Sequence, residues 1–458
     1  MTDTEGKARD GPQPGSYSSF VRLQLDDAAL HGLPGQVVTT LLPHTEADPA
    51  ALLLTFLTML GNACGPGPAL EVGADAHPGR LYTVLVGDTS TGRKGSAGSQ
   101  IERLFDMAVP DWAGPRVERG IQSAEAVIVR VADMSRDPRL LLEEHEFARL
   151  LMTMATRGNL SPVLREAWDG RPLAIVTKRN AIRLGARRAH ISVLGHITAP
   201  ELAERLAGTD INSGFANRFL FALVNRSKLL PRGGALTTET LDGLAEKIEE
   251  VVGFSTDYAL GHLDPISKIL CQFHGVFPTV PMGRTDAFWD RWDQLYTTEF
   301  ERRLPGTPGI VTSRVAAQVL RLSVVYALAD LCDTVDVQHL EAALAVWRYC
   351  EESVKFIFGT ITGNREADKV IRALHDHALS RTDISVLFGR NKNRRQLDLI
   401  LAEVMGTGMV RSYPEGEGAK RKDMYALITE QEEDEGADSR KAGAAARSRS
   451  RSRASTGA

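Results

Sequence analysis

VLVGDTSTGRKGS, residues 84–96, ends an apolar run in a glycine- and hydroxyl-rich loop that carries a lysine and then opens a helix. A loop of this kind wraps a polyphosphate. Its backbone N–H groups surround the phosphates, a lysine neutralises the outer oxygens, a following Ser or Thr hydroxyl reaches Mg²⁺, and the positive end of the next helix adds to all three. Written as G-x-x-x-x-G-K-[ST], the pattern takes Gly87 and Gly92 as its glycines and then meets Arg93 where lysine is required, with Lys94, Gly95 and Ser96 behind. The register is shifted by one residue. We therefore assign Lys94 to the phosphate oxygens and Ser96 to the metal, with Asp88, Thr89, Ser90, Thr91 and Arg93 completing a cradle for ATP and Mg²⁺. The same glycines would also serve a plain strand-to-helix turn, and the flanking elements are what favour the phosphate reading.

Outward from this loop the chain alternates short apolar segments with helical patterns. Residues 69–74 and 81–87 are β-prone and flank a His-Pro-Gly turn at 77–79. Further apolar segments follow at 126–132 (AVIVRVA), 140–142, 173–177 (LAIVT), 190–196 (HISVLGH) and 219–224 (FLFALV). Such alternation predicts an α/β layer with a mostly parallel sheet and the loop at the carboxyl end of a strand. In RLLLEEHEF, residues 139–147, three leucines deliver carboxylates to the mouth of that sheet. Glu144 is the expected water-activating base, and Glu143 and Glu146 are the expected metal-side groups. His196 ends another strand and is placed to sense the outermost phosphate. Arg218, in GFANRFLF, is expected to complete a neighbouring site by stabilising transferred charge, and Arg314 is a second candidate for that role.

Two basic regions suggest a polyanion. Residues 171–190 hold Arg171, Lys178, Arg179, Arg183, Arg187 and Arg188 and no acidic residue, although the whole chain has a net charge of −4. Phosphate contacts are what such clusters do best. From Thr238 long amphipathic patterns replace the strands, which predicts a helical domain. Residues 364–428 then read as three helices and a β pair, a winged helix-turn-helix. Arg390, Lys392, Arg394 and Arg395 lie at its third helix and Lys420, Arg421 and Lys422 in its wing, with twelve Lys and Arg against nine Asp and Glu over 365–428. The expected division is a flexible leader (1–35), an ATPase domain (36–235), a helical domain (236–362), the DNA-binding module (363–428) and a disordered acidic, then Arg-Ser, tail (429–458).

Composition excludes other classes. The 43% apolar and 24% charged content is that of an ordinary globular protein. The four cysteines are scattered without metal spacing, which points to a reduced cytoplasmic setting and no structural zinc. The most apolar stretch, residues 50–63, is too short to span a bilayer. Introduced by Asp48-Pro49, it is expected to be a buried helix.

Taken in order, VGDTSTGRKGS, RLLLEEHEFARLL, LREAWDG, AHISVLGHIT and residues 212–219 resemble a family of P-loop proteins of actinobacteria, phages and mobile elements described as helicase- or primase-associated. These are similar to RecA-like replicative helicases. The resemblance runs from about Val37 to Ala345, and the Arg-Lys-Gly-Ser ending of the loop is shared with that family. It implies a RecA-like ATPase core, a homo-oligomer in which a ring is one form, DNA as partner and a separate primase or other replication protein. Two alternatives stay open. One is a non-catalytic, nucleotide-binding initiator or regulator acting through its winged helix, and the other a defence or signalling ATPase.

Overall fold

A computed structural model describes residues 23–87, 94–132, 137–156, 158–175, 184–186, 189–206, 208–274, 279–358, 365–374, 377–406, 410–416 and 422–427. At its centre five strands pair only in parallel: Tyr82–Val86 (β1), Val117–Arg119 (β2), Arg139–Glu144 (β3), His190–Ile197 (β4) and Leu220–Leu223 (β5). Their order is β2-β3-β4-β1-β5. Strands covered on both faces lose the usual apolar/polar alternation, and β1 and β4 are accordingly buried at every position.

The principal helices around the sheet are Pro49–Ala63 (α1), Lys94–Ala108 (α2), Ala124–Ala132 (α3), Phe147–Thr156 (α4), Leu160–Trp168 (α5), Thr238–Gly261 (α6), Val315–Ala329 (α7) and Val337–Phe358 (α8). Strand alternation sorts the side chains between two cores. Leu85, Leu141, Leu194 and Leu220 pack with α1, α2, α6, α7 and α8, whereas Val84, Leu142, Val193 and Phe221 pack with α3, α4 and α5. α1 is the buried helix expected from its sequence. Asp48 caps it by accepting from the Ala50 N–H at 2.9 Å, Pro49 occupies its first turn, and every residue from Ala50 to Ala63 is buried.

Five sequence expectations change. AVIVRVA is helix α3: Val127, Ile128 and Val131 share its buried face, and that helical spacing outweighs the β preference of branched residues. Leu173–Ile175 pairs antiparallel with Leu184–Ala186 and not with the central sheet, while residues 176 and 177 of that expected segment lie outside the described residues. Pro68–Val72 likewise leaves the main sheet to pair with Asp75–Pro78, so that the chain turns at Gly73 and not at the His-Pro-Gly tripeptide. The helices after Thr238 share a core with the sheet, so no break in packing falls at residue 235. Residues 23–35, expected as part of a flexible leader, belong to the fold, with Ala29 and Leu33 in that core; residues 1–22 and 428–458 fall outside the described residues.

Residues 365–427 have a core of their own, built by Val370, Ile371, Ile384, Ile400 and Val404. Helices Arg365–Leu374 (α9), Arg381–Leu387 (α10) and Arg394–Gly406 (α11) pack there against strands Val410–Glu415 (β6) and Lys422–Leu427 (β7), with Leu379–Ser380 on the other side of β7. Among the described residues no helix is long and apolar enough to cross a membrane.

One buried histidine gives the fold an acid limit. His190, wholly buried at the start of β4, donates from Nε2 to the Gly61 carbonyl at 3.0 Å, so its tautomer is fixed with the proton on Nε2. Burial, then the charge of Arg80, drives its pKa well below 6.5. The unfolded chain takes up a proton near pH 6.5 that the native chain refuses, so stability falls as pH drops below that value. The slope contributed is at most about 1.4 kcal/mol per pH unit. Urea midpoints measured between pH 7.5 and 5 are expected to fall less steeply in His190→Gln than in the parent chain.

Candidate active site

The carboxyl ends of β1, β3 and β4 meet at one edge of the sheet. β1 runs into Gly87, whose N–H donates to the Ile197 carbonyl at the end of β4 (3.1 Å), and α2 begins at Lys94. A side chain at Gly87 would strike the Val224 carbonyl, so a glycine is needed where the chain leaves the sheet. Residues 88–93, with Asp88, Thr89, Ser90, Thr91, Gly92 and Arg93, lie outside the described residues, as do the side chains of Lys94 and Ser96. α2 then passes over the ends of the strands: a Cβ on Gly98 would lie 3.9 Å from His196 Cε1 and 3.3 Å from Glu102 Oε1.

Under that helix the side chains converge. The ligand-type atoms of Glu102, Glu143 and His145 lie within 4.8 Å of one another. Arg119, at the end of β2, bridges the two carboxylates, 2.5 Å from Glu143 Oε2 and 3.0 Å from Glu102 Oε2. Glu143 is 1% exposed, and burial together with the charge of Glu102 pushes its pKa up to about 7, against the pull of Arg119. Two carboxylates this close do not both ionise freely unless a cation or proton stands between them. The His145 ring meets that of His196 edge-on at 5.3 Å, which places the candidate sensor beside the carboxylate pair.

Strand alternation corrects the role expected of Glu144. It shares the face of Leu140 and Leu142, turned away from α2, while Glu143 shares the face of Leu141 that α2 covers. Both Glu144 oxygens are taken: Oε1 accepts from the N–H groups of Gly120 and Ile121 at 3.0 and 3.1 Å, and Oε2 pairs with Arg149 at 2.9 Å. It holds a turn on the face of the sheet away from α2. Glu146 is exposed in the turn after β3, and the carboxylate beside Glu143 is Glu102 instead. Sequence reading passed over Glu102. Its only signal was a small residue, Gly98, followed one helical turn later by a carboxylate on a stripe beside the buried Ala97 and Ile101.

Arg218 is also displaced from its expected role. It precedes β5, at the opposite edge of the sheet from Gly87, and is 5% exposed. Asp169 binds it through both carboxylate oxygens, at 3.0 and 2.8 Å. An arginine so enclosed is anchored and does not reach into a neighbouring subunit.

The basic residues divide by region. Lys178, Arg179, Arg183, Arg187 and Arg188 fall outside the described residues, in or beside the segment that joins Leu173–Ile175 to Leu184–Ala186. Lys420 and Arg421 are outside as well. Arg390, Arg394, Arg395 and Lys422 are exposed, the first in a left-handed turn (φ 58°) and the next two at the start of α11. Lys392 is paired with Glu366 across the module, which corrects its expected availability to a polyanion. The sequence matches no model of a known protein family, and no curated protein matches it.

Proposed function

We propose that the chain is a Mg²⁺-dependent ATPase with a RecA-like core that acts on DNA in replication or mobile-element maintenance. One observation carries the reading. The loop of phosphate-binding composition leaves the carboxyl end of an internal parallel strand, and on the face covered by the helix it opens, Glu143 arrives two strands away beside Glu102. Ligands of open parallel sheets bind outside the carboxyl ends of the strands, where the strand order changes direction, and β1 lies at that position here.

In this scheme Lys94 and the N-terminus of α2 hold the phosphates. Glu143 and Glu102 offer the hard carboxylate oxygens that Mg²⁺ takes, with Ser96 as hydroxyl donor, and a bound ion would draw charge from the phosphate oxygens. Arg119 keeps the two carboxylates in register. His196, packed under α2, reports the outer phosphate to β4. The C-terminal module is read as a winged helix that presents Arg394 and Arg395 to DNA, and a homo-oligomer, a ring being one form, is the working assembly. A separate primase or replication protein is its expected partner.

The arginine in the lysine position of the loop favours a second reading, a nucleotide-binding DNA regulator without turnover. An ATPase assay with and without single- and double-stranded DNA separates the two. DNA-stimulated turnover is expected, and Glu143→Gln, which keeps the shape and removes the charge, is expected to lower it about 10²–10³-fold. Nucleotide binding with no turnover under any condition would support the regulator.

A further inference from the structure

At the edge of the sheet opposite the phosphate loop, four arginines from distant parts of the chain gather round Trp168, the last residue of α5. The guanidinium carbons of Arg321, Arg314 and Arg218 stand 3.5, 5.1 and 5.4 Å from its ring centre. Arg80 donates to the carbonyls of Ala167 and, at 3.1 Å, Trp168, and Arg321 to those of Trp168 and Arg80 at 2.8 and 2.9 Å. Arg80, Arg218 and Arg321 are each at most 5% exposed. Backbone makes room for them: Gly170 and Gly214 both have positive φ (73° and 80°), and a Cβ would come within 3.3 Å of Arg80 Nη1 at the first and 3.1 Å of Arg218 Nη1 at the second.

The charges do not balance. Among the described residues the only carboxylate ion-paired with these arginines is Asp169, which holds Arg218 and lies 3.8 Å from Arg314 Nη1. The carbonyls at the end of α5 add only part of a negative charge. Burial first, then repulsion by Arg218, lowers the pKa of Arg314, while burial followed by repulsion from Arg80 lowers that of Arg321. Donors are left over as well. Nε of Arg80, Arg218 and Arg321, Nε1 of Trp168 and Nε2 of Gln318 are buried donors with no hydrogen-bond partner among the described residues, and the Gln318 acceptor Oε1 is unpartnered beside them. Gln318 is fully buried, one turn after Arg314, which caps the start of α7, and one turn before Arg321 on that helix. Leaving so many buried donors and so much positive charge uncompensated is costly, and a bound anion removes both costs.

Arg314 forms the opening. It is 35% exposed, and its Nε is tethered to Asn217 Oδ1 at 3.0 Å, with Asn217 in turn donating to Ser313 Oγ at 3.0 Å. A guanidinium held by Nε presents its terminal nitrogens as a planar fork that matches two oxygens of a tetrahedral oxyanion. Exposed Arg171 stands close enough to act on its charge.

We propose that this edge is a binding site for a phosphate group, entered at Arg314 and Arg171 and backed by the arginines around Trp168. It is separate from the proposed nucleotide site and does not depend on that reading, because Arg80 and Arg218 precede β1 and β5 whereas the phosphate loop follows β1. The test uses the full chain carrying Lys94→Ala, so that phosphate held by the loop is not counted. Inorganic phosphate and glycerol phosphate are titrated by calorimetry and by thermal shift against sodium chloride of equal ionic strength. Saturable binding is expected, with a midpoint that rises as the logarithm of free phosphate. The two ligands side by side tell a free-ion site from a phosphate-ester site, and binding of either supports the proposal. Arg314→Gln is expected to weaken it at least about tenfold, Arg171→Gln to weaken it less, and Arg302→Gln, an exposed arginine elsewhere, to leave it unchanged. Chloride matching phosphate, or full binding retained in both Arg314→Gln and Arg171→Gln, would overturn the site.

Discussion

Lys94→Ala is expected to bring DNA-stimulated ATP turnover down by at least about 10²-fold with little change in thermal midpoint, since removal of one preorganised charge-stabilising donor has an effect of that size. The fold tolerates the change because α2 is held by its apolar stripe, Ala97, Ile101, Leu104 and Phe105, all wholly buried under α1 and the sheet. Arg93→Ala is the necessary companion, because Arg93 stands where the usual pattern has its lysine. If Lys94 is the phosphate ligand, Arg93→Ala retains most of the turnover. Should the two variants exchange behaviour, the register of the loop lies one residue earlier while the site itself stands. Unchanged hydrolysis in both would remove the loop from the chemistry altogether.

Legibility of this chain followed the range of the interactions concerned. The run LLLEE announced a strand that ends in carboxylates, and β3 is that strand. Its period of two separates Glu143 from Glu144, but which of the two faces the phosphate loop depends on which face α2 covers, and α2 lies some forty positions upstream. The base was therefore expected at Glu144, whose true partners, Gly120, Ile121 and Arg149, no local pattern announces. Arg218 failed in the same manner, because its anchor Asp169 is 49 residues away in sequence. AVIVRVA illustrates a different limit. Its branched residues favour a strand, its spacing permits a helix, and the packing of Val127, Ile128 and Val131 against the sheet decides between them. Where one strong local signal agreed with burial, as in Asp48-Pro49 before α1, reading and structure coincide.

That helix carries the other large effect, a loss of stability. Within PAALLLTFLTMLGNA, Asn62 is wholly buried, and its amide joins four separate pieces of the chain. Nδ2 donates to the carbonyls of Leu140 and His190, both at 3.1 Å, and to Ser192 Oγ at 3.2 Å, while Oδ1 accepts from Trp112 Nε1 at 3.0 Å. One side chain thus ties α1 to the starts of β3 and β4 and to the turn beyond α2. Asn62→Ala strands the Trp112 N–H in a dry interior at about 1–3 kcal/mol, takes a second donor from the Leu140 and His190 carbonyls, which keep their place in the β3–β4 ladder, and opens a small cavity besides. A total near 4 kcal/mol is expected, large enough to read as a lower urea midpoint with an unchanged slope. Asn62→Asp sharpens the argument, because it keeps the acceptor for Trp112 but turns an oxygen toward the Leu140 and His190 carbonyls. Loss of the donor then adds repulsion, or the cost of keeping a carboxyl protonated, so this variant is expected to be at least as unstable as the alanine at pH 7 and to recover on mild acidification. If Asn62→Ala costs less than about 1 kcal/mol, ordered water has replaced the amide, and the strand starts are held by their own ladder alone.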